Sequence, residues 1–338
     1  MRFIHTADWH IGKGRSYLPD ALARTLSVID RIYRVAVEEQ IDTVVVAGDI
    51  FDSPNVEDTE RRALYSKIAA YDAAGIATLM ISGNHDRMTS ATTTLDYLEA
   101  VTDAGAWQAG TVVTQRTRLV IRNGYGFLLF DDAWDRFAPL IATVQTGSIR
   151  HALKGLVVVA HQTIRDTMAA NGTTMLSGIR FEPDRHVDYY AFGDIHKCQR
   201  VRRGAWYSGA PLQTDFGEDG ETGVLIVDTD EPEKPVFRSI PSVRLRTIGV
   251  DESIPENAIV RIRYDDKPIL DPGVLPSNVV KFTWTQTEID LSNLRSSAGL
   301  LSGLDDVLQR RGLNEDDVTY AMSFVQDAII QVGESPTL

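Results

Sequence analysis

A run of small and β-branched residues followed by a glycine and two acids lies at residues 44–52, which read Val44-Val45-Val46-Ala47-Gly48-Asp49-Ile50-Phe51-Asp52. Such an unbroken apolar run predicts a strand that is buried on both faces of its sheet. The glycine lets the backbone turn tightly after the strand and approach a ligand. We therefore expect Asp49 at the carboxyl edge of a sheet in a layered α/β protein.

Four other apolar runs end in the same way, with Asp, Asn or His soon after the strand pattern. Loops at the carboxyl ends of strands converge in open α/β sheets, and ligands bind there. One Asp-x-His or Gly-Asp motif alone is more often a turn or a helix cap, but five in this order predict a single polar site. The four runs are Phe3-Ile4-His5-Thr6-Ala7-Asp8-Trp9-His10, Leu79-Met80-Ile81-Ser82-Gly83-Asn84-His85-Asp86, Val157-Val158-Val159-Ala160-His161 and Tyr190-Ala191-Phe192-Gly193-Asp194-Ile195-His196.

Helical patterns alternate with strand patterns in the first half of the chain, as in proteins with stacked α and β layers. The stretch Arg122-Asn123-Gly124-Tyr125 predicts a hairpin with a type I′ turn, so the sheet becomes antiparallel or mixed from there. We expect an α/β fold built as a two-layer mixed β-sandwich flanked by helices. The predicted strands cover residues 2–5, 43–47, 77–81, 156–160, 189–192, 206–208 and 223–228, and the predicted helices cover residues 20–40, 57–74 and 92–102.

The composition changes at residues 230–235, where charged residues and prolines alternate, as is typical of a domain boundary. We expect a main domain over residues 1–244 and a small α+β capping domain over residues 245–338. The pattern of this second part consists of strands at residues 259–264 and 279–284 and helices at residues 305–311 and 316–330.

The overall composition is that of a globular protein, since 43% of the 338 residues are hydrophobic and 24% are charged. The longest apolar runs are far shorter than the roughly 20 residues that a membrane span requires. Cys198 is the single cysteine, so an intrachain disulfide is excluded, which fits a reducing compartment. We therefore expect a cytoplasmic protein that does not enter a membrane.

A net charge of -13 argues against a protein whose whole surface binds nucleic acid, because such binding depends on neutralising phosphates with Lys and Arg. A local exception follows the last of the five runs, where residues 191–205 carry four basic side chains against one acid. Such a stretch is either a solvated face or a phosphate contact. Its basic residues are Lys197, Arg200, Arg202 and Arg203.

The side chains at the five strand ends offer oxygen and imidazole donors without thiolates, a set that suits Mn²⁺, Fe or Zn²⁺. A site for two ions needs a bridging carboxylate, and Asp49 is the best candidate. Two cations roughly 3.5 to 4 Å apart can activate a water and stabilise both the attacking and the leaving oxygen of a phosphoryl transfer. The expected reaction is therefore the hydrolysis of a phosphate ester.

The five strand ends, taken together, resemble the signature blocks of the calcineurin-like metallophosphoesterases. More narrowly, three stretches resemble the SbcD family, the nuclease subunits of bacterial SbcCD complexes that act in DNA double-strand-break repair. The likeness extends over about residues 1–250. The three stretches are His5-Thr6-Ala7-Asp8-Trp9-His10-Ile11-Gly12, Tyr207-Ser208-Gly209-Ala210-Pro211 and Phe216-Gly217-Glu218.

This resemblance implies a role for each polar residue. His85 is similar to the family's histidine near the leaving oxygen, which acts as a general acid, and Asp86 would orient its ring. The basic stretch that begins at Lys197 would contact the phosphate backbone of DNA. One metal ion would be held by Asp8, His10, Asp49 and His196, and the other by Asp49, Asn84, His161 and Asp194.

One position departs from the family pattern. Most members carry Gly-His-x-His where this chain has Gly193-Asp194-Ile195-His196, so the second metal ion would receive a carboxylate in place of an imidazole. A carboxylate is a hard oxygen donor that suits Mn²⁺ or Mg²⁺. We expect Asp194 to weaken a preference for Zn²⁺ and to raise the pKa of a bound water.

The resemblance implies a two-metal DNA nuclease that uses Mn²⁺, or Mg²⁺ as an alternative. It would act as an exonuclease, an endonuclease or both in DNA repair, recombination or end processing. The implied partners are DNA, a second copy of the chain and an SbcC-like coiled-coil ABC ATPase. Two alternatives stay open: a phosphodiesterase or phosphatase of small molecules in the same superfamily, and a weakly active scaffold for an ATPase.

Overall fold

Fifteen strands and four α-helices are found in the described part of the computed structural model, which comprises residues 1–18, 20–89, 92–131, 134–146, 153–249, 251–264 and 279–284. The helices are α1 (Ala21–Glu38), α2 (Asp58–Ala73), α3 (Asp96–Asp103) and α4 (Phe137–Thr146). The strands are β1 (Arg2–Thr6), β2 (Thr43–Ala47), β3 (Ala77–Ile81), β4 (Val112–Thr114), β5 (Arg118–Arg122), β6 (Tyr125–Phe130), β7 (Gly155–His161), β8 (Tyr189–Gly193), β9 (Gln199–Arg202), β10 (Ala205–Tyr207), β11 (Gly223–Asp228), β12 (Val236–Ser239), β13 (Arg244–Gly249), β14 (Ala258–Tyr264) and β15 (Val279–Trp284).

Two six-stranded sheets form the centre of the fold. The first has the strand order β12-β11-β1-β2-β3-β4, and the second has the order β5-β6-β7-β8-β10-β9. In the first sheet β1 to β4 are parallel, while β11 and β12 pair in antiparallel fashion. In the second sheet β6, β7, β8 and β10 are parallel, and β5 and β9 are antiparallel edges. Both sheets are therefore mixed.

Three layers of apolar side chains surround these sheets. Successive residues of a central strand enter different layers, so that Phe3 lies between the sheets and Ile4 lies under the helices. This alternation explains the unbroken apolar runs in the sequence, since both faces of each central strand are buried. The expected two-layer mixed sandwich flanked by helices is confirmed. The layer between the sheets includes Phe3, Val45 and Leu79 from the first sheet and Phe127, Val157 and Tyr189 from the second.

The helices agree with the predicted patterns, except that one of them begins later than predicted. The buried side chains of α1 recur with helical spacing, as in Val28, Ile32 and Val35. Helix α3 begins at Asp96, four residues later than predicted. The reason is a contact within the loop before the helix, because the backbone N–H and the hydroxyl of Thr94 both donate hydrogen bonds to Asp86, eight positions earlier.

The hairpin between β5 and β6 has the predicted geometry. A type I′ turn needs positive φ at both central residues, and Asn123 and Gly124 have φ values of 51° and 86°. Arg122 and Tyr125 face each other across the antiparallel pair. This hairpin is confirmed as the entry to the second sheet.

The last strands, β13, β14 and β15, form a third sheet. The chain divides into one unit over residues 1–262 and 275–281 and another over residues 263–274 and 282–338. Most of the second unit, including the predicted helices at 305–311 and 316–330, lies outside the described residues, so the boundary at residue 245 stays a prediction. In the part of the chain that the structure describes, no helix is both long and apolar enough to cross a membrane.

The layer between the two sheets should dominate the stability of the main domain. Phe127 is fully buried in this layer, with its ring edge-to-face at 5.4 Å from that of Phe3. We expect Phe127→Ala to lower the free energy of unfolding by about 3 to 5 kcal/mol, because it leaves a cavity between the sheets. Urea unfolding followed by circular dichroism measures the change.

The control is Ile121→Ala on β5, whose side chain is 55% exposed. It should change the free energy of unfolding by no more than about 0.5 kcal/mol. Equal effects of the two variants would contradict the assignment of the main core to the space between the sheets.

Candidate metal centre

The carboxyl ends of β1, β2 and β3 in the first sheet and of β7 and β8 in the second meet at one site. All seven expected metal ligands lie there. His10 and His196 are 186 positions apart in the chain, yet their Nε2 atoms are 3.0 Å apart. His161 Nε2 lies 2.9 Å from Asn84 Oδ1, across 77 positions. The structure thus brings together the residues that the five strand ends indicated.

Asp49 lies at the middle of this arrangement. Its Oδ2 is 3.6 Å from His10 Nε2, and its Oδ1 is 3.4 Å from His161 Nε2. The two oxygens of one carboxylate therefore face two different imidazoles. This is the placement that a carboxylate needs to bridge two cations.

The first group of donors consists of Asp8, His10 and His196, whose donor atoms lie within 4.8 Å of one another. Asp8 Oδ1 accepts the backbone N–H of Asp194 at 3.0 Å. Asp8 Oδ2 is buried and has no hydrogen-bond partner among the described atoms. A buried carboxylate oxygen without a partner is costly, and a cation beside the two imidazoles would satisfy it.

The second group surrounds His161. Its Nδ1 donates a hydrogen bond to the carbonyl of Ala47 at 2.8 Å, since a carbonyl oxygen can only accept. In the neutral ring, Nε2 then carries a lone pair, and it faces the oxygens of Asn84 and Asp49 and, at 3.7 Å, Asp194 Oδ1. Electron-rich atoms that face one another in this way require a positive charge between them or on the ring.

The pKa values show the same excess of negative charge. Burial by itself lowers the pKa of His161, but the carboxylates of Asp49, Asp8 and Asp194 outweigh burial and raise this pKa to about 10. Burial raises the pKa of Asp8 to about 6, against the opposing charges of His196 and His161. A buried group of carboxylates and imidazoles with an excess of negative charge is stabilised by divalent cations. The oxygen and nitrogen donors present therefore suit the metals that the sequence implies.

The backbone at four of the expected ligands is strained. Asp8, His10, Asp49 and Asp194 have φ values of 56°, 44°, 51° and 101°, in the left-handed region that residues with a side chain rarely adopt. Such conformations cost about 1 to 3 kcal/mol each and concentrate at functional sites. The sharp turns after the strands point these donors inward.

Three glycines make room for the expected ligands. A Cβ atom on Gly48 would lie 2.3 Å from His161 Nδ1, and one on Gly83 would lie 2.1 Å from Asp49 Oδ1. A Cβ atom on Gly193 would lie 2.0 Å from the carbonyl oxygen of Ala47. These glycines are therefore required by close approach of the strand ends, as the sequence pattern indicated.

His85 lies beside the first group, with its ring 4.9 Å from that of His10. Its Nδ1 donates to the backbone carbonyl of Asp52 at 2.6 Å, which leaves Nε2 as the ring atom that can exchange a proton. The backbone N–H of His85 donates to Asp49 Oδ1 at 2.9 Å. The ring is thus held by the loop that follows β2.

Asp86 has a different task from the expected one. Its carboxylate accepts the backbone N–H groups of Ile50, Phe51 and Gly83, at 3.1, 2.9 and 2.8 Å. It therefore ties the loop after β2 to the loop after β3. The expectation that Asp86 orients the His85 ring is corrected, because the carbonyl of Asp52 makes that contact.

Several polar residues at the site are not among those predicted from the sequence. Glu218 Oε1 accepts a hydrogen bond from His196 Nδ1 at 2.6 Å, and the hydroxyl of Thr163 donates to Asp194 Oδ2. Lys13 Nζ lies 3.1 Å from Asp52 Oδ1. Glu218 belongs to a stretch that carried the family resemblance and could have been noticed there. No sequence signal distinguishes Thr163.

The basic stretch does not form one surface at the site. Lys197 follows the expected ligand His196 directly, but β9 is antiparallel to β10, which is parallel to β8. Strand β9 therefore runs away from the carboxyl end of β8. It carries Arg202 away from the metal ligands, and Arg203, just beyond its end, forms an ion pair with Glu233.

Comparison with known proteins agrees with this geometry. Residues 1–198 match the calcineurin-like phosphoesterase family, so the chain belongs to that family. It is similar to the SbcD component of the nuclease SbcCD from Bacillus subtilis, at 27% identity over 276 residues that cover 71% of this chain and 69% of that protein. The corresponding protein of Escherichia coli K12 is 28% identical over 264 residues, covering 66% of this chain and 63% of that protein. The predicted resemblance is confirmed.

Gly83 gives a direct test of the close approach at Asp49. We expect Gly83→Ala to lose most of its affinity for divalent ions at both positions, because the added methyl would lie 2.1 Å from Asp49 Oδ1 and 2.3 Å from the backbone nitrogen of Asp49, so this residue must shift. Isothermal titration calorimetry with Mn²⁺ measures the stoichiometry and the affinity.

The matched control is Gly75→Ala, where φ is also positive at 80° but no atom lies within 4 Å of the added Cβ. This variant should lose about 1 kcal/mol of stability from backbone strain and bind Mn²⁺ as the wild type does. Undiminished Mn²⁺ binding by Gly83→Ala would show that Asp49 is not shared between two ions.

Proposed function

We propose that this phosphoesterase is a two-metal DNA nuclease that hydrolyses phosphodiester bonds, with Mn²⁺ as the preferred ion and Mg²⁺ as an alternative. The observation that carries the proposal is the Asp49 carboxylate, which has one group of donors on each side. The similarity to proteins named as part of the nuclease SbcCD supports DNA as the substrate.

Two divalent cations bound by these donors would neutralise charge on the phosphate and activate a water for attack on phosphorus. The side chains of the protein supply the proton for the leaving group. As the phosphorus–oxygen bond to the sugar breaks, His85 Nε2 gives its proton to the leaving oxygen. The bond from His85 Nδ1 to the carbonyl of Asp52 keeps the ring in place during this transfer.

Contacts to the DNA backbone are proposed for the basic stretch. Lys197 is its member next to a metal ligand, so we assign it to a phosphate near the cleaved bond. Arg200, Arg202 and Arg203 would contact phosphates only where the DNA extends along β9. Lys13, beside Asp52, is a further cation at the edge of the site.

The partners follow from the relatives rather than from contacts in this chain. We propose that the protein forms a homodimer and works with an SbcC-like coiled-coil ABC ATPase, because the relatives are named as one component of SbcCD. Its role would be DNA repair, recombination or end processing in the cytoplasm. Exonuclease and endonuclease activity are both compatible with the site.

A cleavage assay tests this function. Wild-type protein and His85→Ala are incubated with linear DNA, hairpin DNA and bis-p-nitrophenyl phosphate, with Mn²⁺, Mg²⁺ or Zn²⁺ in turn. We expect DNA cleavage with Mn²⁺, reduced by about 10² to 10⁴ in His85→Ala, since a general acid typically contributes that factor.

The control is His186→Ala, a half-buried histidine that contacts Arg185. Its cleavage rate should equal that of the wild type. Absence of DNA cleavage under every metal would overturn the proposal. Hydrolysis of the small ester alone would then indicate a small-molecule phosphodiesterase, and no hydrolysis at all would indicate a scaffold.

Asp194 supports the choice of Mn²⁺. Its Oδ2 accepts the hydroxyl of Thr163, so Oδ1 is the oxygen that faces His161. The second group of donors therefore contains three oxygens and one imidazole nitrogen. This composition favours harder ions over Zn²⁺.

We expect Asp194→His to broaden metal use toward Zn²⁺ and to lower the pH at which hydrolysis of bis-p-nitrophenyl phosphate begins to rise. The reason is that the variant removes one negative charge from the second group of donors, so a bound water would lose its proton more easily. Activity against pH with each metal gives both quantities. Asp251→His, at an exposed position, is the control. An unchanged metal profile in Asp194→His would show that Asp194 is not a ligand.

A further inference from the structure

His196 has a charged partner on the side of its ring that faces away from the other ligands. Its Nδ1 is 2.6 Å from Glu218 Oε1. An ionised carboxylate can only accept, so Nδ1 carries the hydrogen. In the neutral ring Nε2 is then unprotonated, and this is the atom that lies 3.0 Å from His10 Nε2. Glu218 thus selects the form of the ring that can bind a cation.

The carboxylate of Glu218 is itself held in place. Its Oε2 accepts the backbone N–H of Thr214 at 2.7 Å, and its Oε1 accepts the hydroxyl of Thr214 at 2.7 Å. The side-chain amide of Gln213 donates to the backbone carbonyl of Glu218, also at 2.7 Å. The segment from Gln213 to Glu218 is therefore a closed turn that presents one carboxylate oxygen to His196.

The three histidines among the expected ligands differ in this respect. His161 donates its Nδ1 hydrogen to a neutral carbonyl, that of Ala47. His10 Nδ1 has no hydrogen-bond partner among the described atoms, and Asp52 Oδ1 is 3.6 Å away. His196 has an anionic acceptor within hydrogen-bond distance. An anionic partner increases the basicity of the opposite ring nitrogen and strengthens its bond to a metal.

We propose that Glu218 is a positioning residue that fixes the tautomer of His196 and strengthens divalent-ion binding at the group formed by Asp8, His10 and His196. The inference rests on the proposed function only in that the site binds divalent ions, and it does not depend on DNA as the substrate. Among the described residues, His161 Nδ1 bonds to a carbonyl, and Asp8 Oδ1 at 4.0 Å is beyond hydrogen-bond distance. The two ions should therefore bind with different dependence on Glu218.

The first measurement is Mn²⁺ binding by calorimetry with wild type, Glu218→Gln and the control Glu221→Gln, an exposed acid three residues further on. In Glu218→Gln one of the two ions should bind about 10- to 100-fold more weakly, the usual effect of losing such a partner. The affinity for the other ion, and both affinities in Glu221→Gln, should stay within twofold of wild type.

The second measurement is the tautomer of His196 in the metal-free protein, from long-range ¹H–¹⁵N correlations. The spectra are recorded at a pH well above 8, because burial is outweighed by the carboxylates of Glu218, Asp8 and Asp49, which raise the pKa of His196 to about 8, and only the neutral ring has a tautomer. Wild type should then show the hydrogen on Nδ1. Glu218→Gln should show a mixture, because the amide has one oxygen where the carboxylate has two. If that oxygen faces His196, the amide NH2 opposes the backbone N–H of Thr214, and if it faces Thr214, the NH2 opposes His196 Nδ1. Glu218→Asp, which draws the carboxylate back from the ring, should give the same weakening of one ion and provides the test should Glu218→Gln fail to fold.

Unchanged Mn²⁺ affinities together with an unchanged His196 tautomer would overturn the inference. Equal weakening of both ions would also overturn it, because that result indicates a general loss of structure at the site. Neither measurement uses a substrate. A wild-type protein that cleaves no DNA would therefore contradict the proposed function without deciding the role of Glu218.

Discussion

The carboxylate of Asp49 between the imidazoles of His10 and His161 is the interaction that organises the whole site. Asp8 and Asp194 add negative charge to the same buried region. Burying several carboxylates together is unfavourable unless positive charge compensates them. The site is therefore a place that the fold prepares for cations, and the raised pKa values of His161 and Asp8 record the same need.

The two sheets supply the rigidity that this arrangement requires. His161 from the second sheet donates to the carbonyl of Ala47 in the first, across 114 positions of the chain. Within β1, three residues before Asp8, the ring of His5 contacts the hydroxyl of Tyr189 and the carbonyl of Phe192 in β8. These bonds join the sheets directly under the candidate metal centre. The strained turns at the ligands persist because the strands before them are buried on both faces.

Much of this could be predicted from residue patterns. The apolar runs predicted the central strands closely, and the Asn-Gly pair predicted the hairpin, because burial on both faces and positive φ leave strong local signals. Other features were not predictable. Helix α3 starts late because Thr94 is bonded to Asp86, and β9 runs away from the site because of its pairing with β10. Neither leaves a strong pattern in the sequence, because one depends on hydrogen bonds across eight positions and the other on two strands of only four and three residues.

Residue order alone established which donors are present and that each follows a strand, since residue identity and strand pattern are local properties. Asp, Asn and His after five apolar runs are sufficient to indicate a two-metal phosphoesterase. The packing of the chain was needed to show which oxygen of Asp49 faces which ring, that Asp86 ties two loops together, and that Glu218 holds His196. Hydrogen bonds and metal contacts act over about 3 Å, and these partners become neighbours only when the two sheets pack.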